Sequence, residues 1–363
     1  MTLTKKFKFY STLWFQYLFE NFLEPRYSVI SEISDLGRLR ESANRLRIYF
    51  YISSNSAGAE QIVKEIIRPL QDVISLKNLK LEVVLGSNPI EEHIDILLVF
   101  KGPRIDTSLM KCAPLRQGLI ICDQGDMFWD ELPKFDFVVS TSSLEFSRLV
   151  AWRASNVFYI PEFEPDRLID VGRRRLSDAR NELNNLKGIL WHGGKYSQKE
   201  LELIIPLISR FNRGVNEKIE IWIVSGDERS RAEVMQGITV NYRPWSEGNL
   251  INASQKCRLA LIPARSSLKN SYLKPASRIR RVFALGLFAV GDSRVPEVRR
   301  FAEKSGVVTL DFFNLTENEL EALWTDAGFL QSGANAGHIC VRKNYSPTQT
   351  VLRWLELFDR LIG

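Results

Sequence analysis

Little in this chain points to a metal, a disulfide framework or a membrane span. There are only four cysteines in 363 residues, Cys112, Cys122, Cys257 and Cys340, and none forms a CxxC pair. Scattered cysteines fit reduced, mostly buried thiols, so a cytoplasmic chain is expected. The three histidines do not cluster, and no metal site is expected. No run of about 18 uncharged apolar residues exists, the length a membrane-crossing helix needs. Lys5, Lys6 and Lys8 open the chain, but no clean apolar core and no small-residue cleavage site follow. That start is not read as a signal peptide. A P-loop lysine motif, a GxGxxG fingerprint, a Ser–His–Asp set, strong repeats and low-complexity tracts are also missing.

What is present is globular: 45% hydrophobic and 25% charged residues. The length exceeds one ordinary core and suggests two domains of roughly 150–180 residues. Net charge is +6, and its distribution is uneven. Between Arg258 and Arg300 stand ten Lys or Arg but only two acids, Asp292 and Glu297. Such a local cluster suits one anionic ligand better than a long polyanion track, the alternative being a solvated basic surface.

Residues 1–44 read as a preface. "FKFYSTLWFQYLFENFL", Phe7 to Leu23, predicts a helix with a wide apolar face. With its basic start it suits an anionic membrane interface at the inner face of the membrane. A helix packed on the first domain is the plainer reading. An α/β domain follows over 45–165. Its short apolar runs are "LRIYFYIS", "LKLEVVLG", "IDILLVFKG", "GLIICDQGD" and "FDFVVSTS", each ending in Gly, Ser or Asp, and "SNVFYIPEF" ends the series. Strands alternating with helices imply βαβ units and a parallel sheet. The first helix weakens at Pro69. Residues 166–186 are charged and helical and read as an interdomain linker. A second strand–helix series covers 187–340, from "KGILWHGGK" to "GVVTLDFF". Residues 341–363 predict an amphipathic helix that crosses back toward the first domain.

The stretch "LKPASRIRRVFALGLFAVG", Leu273 to Gly291, carries the chemistry. Pro275 suits a first helical turn, and Gly286 suits a helix exit. Lys274, Arg278 and Arg281 are spaced by four and three, which places them on one face, with Arg280 solvated. A helix N-terminus offers free N–H groups and partial positive charge. Lys274, Ser277 and Arg278 there make a diphosphate cradle.

With "PWS" after a middle strand and "LIPA" on the next, the pattern K-x-x-S-R-x-x-x-x-x-A-L-G-x-x-A-V resembles the C-terminal domain of GT-B fold glycosyltransferases. It is closest in pattern to bacterial family-4-like enzymes. The resemblance has motif detail over Gly188 to Glu297 and is general over Leu46 to Phe163. It implies two tandem Rossmann-like, doubly wound α/β domains facing a central cleft. It also implies a UDP- or GDP-sugar donor with no bound cofactor. Gly193 and Gly194 in "WHGGK" would allow close backbone approach, and Lys195 would reach phosphate. Trp245 would flank the base, and Arg265 would stand at the mouth of the phosphate site. Lys274, Ser277 and Arg278 would hold the diphosphate and proximal sugar. Trp191 and Trp222 read as core aromatics, and His192 as a structural histidine.

One departure stands out. Many retaining relatives carry two glutamates separated by seven residues, and this chain has Leu273 and Arg281 at those positions. The first domain is expected to bind a glycan or lipid-linked acceptor, with no nucleic-acid partner. Asp123 and Asp126 in "CDQGD" lie just past a strand end, where a general base could sit. Capping of a turn is the alternative for Asp123. Glu162 is a weaker base, and Asn55, Ser56 and Gly58 could touch either substrate. The expectation is transfer of a sugar in bacterial surface polysaccharide or glycoconjugate synthesis. Rival readings are a nucleotide-sugar epimerase or hydrolase on this fold, and a non-catalytic module of a polysaccharide-assembly complex.

Overall fold

A computed structural model describes residues 27–29, 45–52, 57–86, 93–100, 114–121, 132–178, 183–194, 199–214, 218–226, 230–263, 273–307 and 315–362, with Leu36, Leu39 and Phe312. The chain divides into two compact units, Met1–Glu162 with Thr348–Gly363, and Phe163–Pro347.

The first unit is built on β1 (Tyr27–Val29), β2 (Leu46–Ile52), α1 (Ala57–Leu76), β3 (Leu81–Gly86), β4 (Ile96–Phe100), β5 (Arg116–Ile121), β6 (Phe137–Ser140), α2 (Leu144–Val150) and β7 (Val157–Tyr159). The strands form one sheet, ordered β1-β7-β6-β5-β4-β2-β3, and every pairing is parallel. Central β4, "ILLVF", is buried at all five positions. A parallel strand covered on both faces needs this continuous apolar run. Order reverses between β2 and β4, but the loops after β2, β4 and β5 lie outside the described residues. Asn55, Ser56, Asp123 and Asp126 fall there, as does the 7–23 segment.

Three details depart from the sequence reading. Part of the preface is strand, because β1 extends the sheet beside β7. The first helix runs on through Pro69 to Leu76. Leu70 and Ile74 are buried beyond the proline, and their packing holds the last turn despite the lost hydrogen bond. Finally, Leu39 N–H donates to the Asp359 carboxylate at 2.9 Å, joining the preface to the last helix.

The second unit contains α3 (Asp166–Asp178), β8 (Gly188–Gly193), α4 (Leu201–Gly214), β9 (Glu220–Ser225), β10 (Arg231–Met235), β11 (Ile238–Pro244), α5 (Glu247–Ser254), β12 (Cys257–Ile262), α6 (Ser277–Ala284), β13 (Phe288–Gly291), α7 (Pro296–Ser305), α8 (Glu317–Thr325) and α9 (Ala327–Asn344). Helix α10 (Pro347–Ile362) returns to the first unit. The second sheet is ordered β10-β11-β9-β8-β12-β13. Only the β10–β11 edge pair is antiparallel. Its turn residues Gln236 and Gly237 have φ of 50° and 81°, the geometry of a tight two-residue hairpin.

The segment expected as a linker is a working part of this unit. Leu168 and Ile169 enter its core. Arg175 donates to the carbonyls of Ser254 and Cys257 at 2.5 and 2.7 Å. A Cβ on Gly172 would lie 2.0 Å from the Ala284 carbonyl oxygen, so only glycine permits this approach to the end of α6. Gly286, at φ 67°, makes the exit from that helix. Of "GVVTLDFF", Gly306 caps α7 in the left-handed region, and residues 308–311 and 313 lie outside the described residues.

Candidate donor site

Strand β8 lies between β9 and β12, so connections leave it in both directions. Ligands of doubly wound sheets bind at such a reversal, outside the carboxyl ends of the strands. The carboxyl end of β8 delivers His192, Gly193 and Gly194, and β12 ends at Ile262 and Pro263. A pocket there is lined by Glu200, Pro263, Lys274, Arg278 and Asp292, with apolar walls from Ile262, Ile279 and Val298.

Helix α6 begins at this pocket. Its start is Ser277, two residues later than the proline rule suggests, and Pro275 precedes it. Ala276 stands at the cap with no side chain capping the first turn. Lys274 is exposed just ahead of the helix. It therefore does not share a helical face with the two arginines, as expected from spacing, but it reaches the same pocket mouth.

Arg278 is fixed from several sides. Its Nη1 donates to Glu200 Oε2 and Oε1 at 2.8 and 3.1 Å. Its Nε donates to the His192 carbonyl at 2.8 Å. The guanidinium lies over Trp191, 5.2 Å from the ring centre. Trp191 is buried, and its indole N–H donates to Glu200 at 3.1 Å. Nη2 is shielded and finds no partner among the described residues. A Cβ on Gly193 would sit 3.1 Å from it, so β8 ends directly over the guanidinium.

His192 completes the floor. It is buried, and burial first, then the charges of Arg278 and Arg281, hold it well below the ordinary imidazole value. It is therefore neutral, and its Nε2–H donates to the Arg278 carbonyl at 3.0 Å. Its ring stacks on Trp245 at 5.7 Å. Trp245 is exposed by 40% and presents an aromatic surface at the end of β11. Arg281 lies 5.7 Å from the same indole and bonds Glu164 at 3.1 Å.

Arg280 corrects an expectation. It is fully buried, not solvated. Its Nε is 3.7 Å from Glu164, and its guanidinium lies 4.6 Å from the Tyr345 ring. Helix α9 packs across α6, and this arginine faces inward toward it. Asp292 at the end of β13 is likewise buried and chelated by Arg294 at 2.8 and 2.9 Å. Glu164, Glu200 and Asp292 were not picked out from the sequence. Glu164 and Glu200 meet arginines brought to them by the fold, which no local spacing marks, whereas Asp292 pairs with Arg294 two residues on.

The structure thus brings Gly193, Trp245 and Arg278 together around His192 at the end of β8, with Lys274 on the adjoining pocket and Gly194 and Ser277 next to them in the chain. Lys195 and Arg265 lie outside the described residues. Among the described residues, no group of three His, Cys, Asp or Glu could hold a metal ion.

No family model and no curated protein matches this sequence. Solved structures do. A glycosyltransferase from Rickettsia africae covers 89% of this chain with all of its own, at 10% identity and TM-score 0.59. An alpha-glucosyltransferase in complex with UDP-glucose and DNA containing an abasic site covers 88% with all of its own, at 12% identity and TM-score 0.57. The Anabaena protein HepE in complex with UDP-glucose covers 86% with 99% of its own, at 11% identity and TM-score 0.54. The chain has the GT-B fold. Within that fold the second unit is the C-terminal Rossmann-like domain, and the pocket lies at its sheet reversal.

Proposed function

We propose that this chain is a glycosyltransferase moving a sugar from a UDP- or GDP-sugar to a glycan or lipid-linked acceptor in bacterial surface polysaccharide or glycoconjugate synthesis. The observation that carries the reading is the start of α6 at the sheet reversal, uncapped by any side chain and flanked by Lys274 and Arg278. Transfer breaks the bond between the sugar anomeric carbon and the diphosphate oxygen. The departing diphosphate gains negative charge, and donors fixed in advance lower that barrier. Helix N–H groups with Ser277, Lys274 and Arg278 supply them. Lys195 and Arg265 extend the cradle, Gly193 and Gly194 admit the phosphates, and Trp245 stacks on the base. In an inverting reaction Asp123 or Asp126 takes the acceptor proton. The protein works in the cytoplasm, at the inner face of the membrane through residues 5–23.

Calorimetric titration with UDP, GDP and their sugars tests the donor half. Micromolar-range saturable binding is expected, and no binding of any of them sinks the reading. Turnover against glycan, lipid-linked and duplex DNA acceptors tests the other half. DNA belongs in that panel because the alpha-glucosyltransferase of this fold was crystallised with it. A second reading, a donor-binding module without turnover, draws on Arg281, which is committed to Glu164 at the position where retaining relatives carry an acid. Binding without turnover on any acceptor would favour it.

A further inference from the structure

We infer that Glu200 is a positioning residue that tunes the donor site to prefer a nucleoside diphosphate sugar over the free nucleoside diphosphate. The inference rests on the donor reading above and names the charge selection at that site.

Glu200 is only 3% exposed, yet it lines the pocket. Its carboxylate accepts from Trp191 Nε1 at 3.1 Å and from Arg278 Nη1 at 2.8 Å. With the His192 carbonyl on Nε and Trp191 beneath, the guanidinium has one fixed orientation. The carboxylate adds something different. It cancels the net charge of Arg278 and takes Nη1, as the His192 carbonyl takes Nε, which leaves Nη2 as the guanidinium nitrogen without a partner among the described residues.

The ligand changes charge during the reaction. In a nucleoside diphosphate sugar each phosphate has one ester and one anhydride link, and each bears one negative charge. After transfer the terminal phosphate keeps only its anhydride link and gains a second ionisation near pH 6, like that of a phosphate monoester. Above that pH the product carries about one more negative charge than the donor. A net cation would retain the product. A neutral Arg278–Glu200 pair offers hydrogen bonds to both but no reward for the extra charge, and so favours release. The other charged groups lining the pocket are Lys274 before α6 and Asp292 after β13, paired with Arg294, while His192, held neutral by burial, sits behind them on the Arg278 carbonyl. Measurements at pH 5.5 and 8 straddle the ligand's own second ionisation.

The test is calorimetry of UDP and UDP-glucose, with GDP and GDP-mannose alongside, on wild type, Glu200→Gln and Glu200→Asp at pH 5.5 and 8. Glutamine keeps an acceptor for Trp191 and Arg278 but removes the charge. It should tighten UDP at pH 8 on the order of tenfold and UDP-glucose far less, with the gap closing at pH 5.5. Aspartate keeps the charge but retracts it, so it should weaken both ligands alike. If Glu200→Gln shifts both ligands equally at both pH values, Glu200 is a packing residue and the inference falls while the donor reading stands. If wild type binds none of the four, both fall. Should the glutamine variant not fold, wild type alone decides. A preference for UDP over UDP-glucose that grows on the order of tenfold from pH 5.5 to 8 would overturn the inference.

Discussion

Replacing Arg278 by methionine removes the charge facing Glu200 and leaves an apolar stem over Trp191. Glu200 then keeps one hydrogen bond, from the Trp191 indole, while remaining 3% exposed. Breaking a buried pair by deleting one partner typically costs about 3–5 kcal/mol, because an uncompensated charge is left behind. Arg278 is 26% exposed along its side chain, so water partly screens the pair. A loss of about 2–3 kcal/mol at pH 7 is the scaled expectation. At roughly 2–4 °C per kcal/mol for a domain of this size, melting should fall by about 4–12 °C. Urea unfolding followed by tryptophan fluorescence reads this directly, since Trp191 is part of the network. The double variant Glu200→Gln/Arg278→Met removes the stranded charge and should recover at least half of the loss. If Arg278→Met alone stays within about 0.5 kcal/mol of wild type, or the double variant is worse by the sum of both changes, the pair is not the buried, coupled unit described.

Other consequences are separable. Lys274→Ala should weaken nucleoside diphosphate binding by roughly 1.5–3 kcal/mol, the range for hydrogen bonds to charged groups; an unchanged calorimetric affinity would remove it from the site. His192 is buried neutral. Its unfolded form takes up a proton near pH 6.5 while the folded form does not. Stability should therefore be full above that pH and decline as pH falls below it, by up to about 1.4 kcal/mol per pH unit. His192→Gln, which retains an N–H for the Arg278 carbonyl, should flatten that part of the profile, with the remainder set by His338, also lowered by burial. Gly172→Ala forces a Cβ against backbone atoms of α6. It should cost about 2 kcal/mol or more, and a melting curve matching wild type would contradict the close approach of α3.

The strand–helix order of both units is legible because apolar runs such as "ILLVF" and "RLALI" are what a parallel sheet demands. The strand end and helix start proposed as the donor site stand out for a related reason. Gly193 and Gly194 at the end of β8 and the basic start of α6 are visible by residue type and order alone. Three things were not legible. Edge strand β10 is exposed along nearly its whole length, so "RAEVM" shows no apolar signal. Helix α3 reads as a linker because its sequence is highly charged, and its packed face rests on Leu168 and Ile169, with Val171 and Leu176 beside them. The fates of Arg278, Arg280 and Arg281 depend on Glu200 and Glu164, which lie 78 to 117 residues away along the chain. Spacing along one helix cannot report such partners.

The Glu164 N–H donates to the Tyr345 carbonyl at 2.7 Å, so the second unit begins and ends at neighbouring points. It is an insertion, threaded into the first unit before that unit's last helix. Synthesis from the N-terminus then imposes an order. Trp354, Leu355, Leu357 and Phe358 of α10 are fully buried, and Trp354 meets Phe50 ring to ring at 5.8 Å. The ribosome must add about 185 residues after Glu162 before it reaches them, which takes roughly 10–40 s at ordinary elongation rates. Throughout that interval the older half of the chain lacks a piece of its own core. The younger half can close first, so a nascent-chain protease assay should find residues 163–347 protected ahead of residues 45–162.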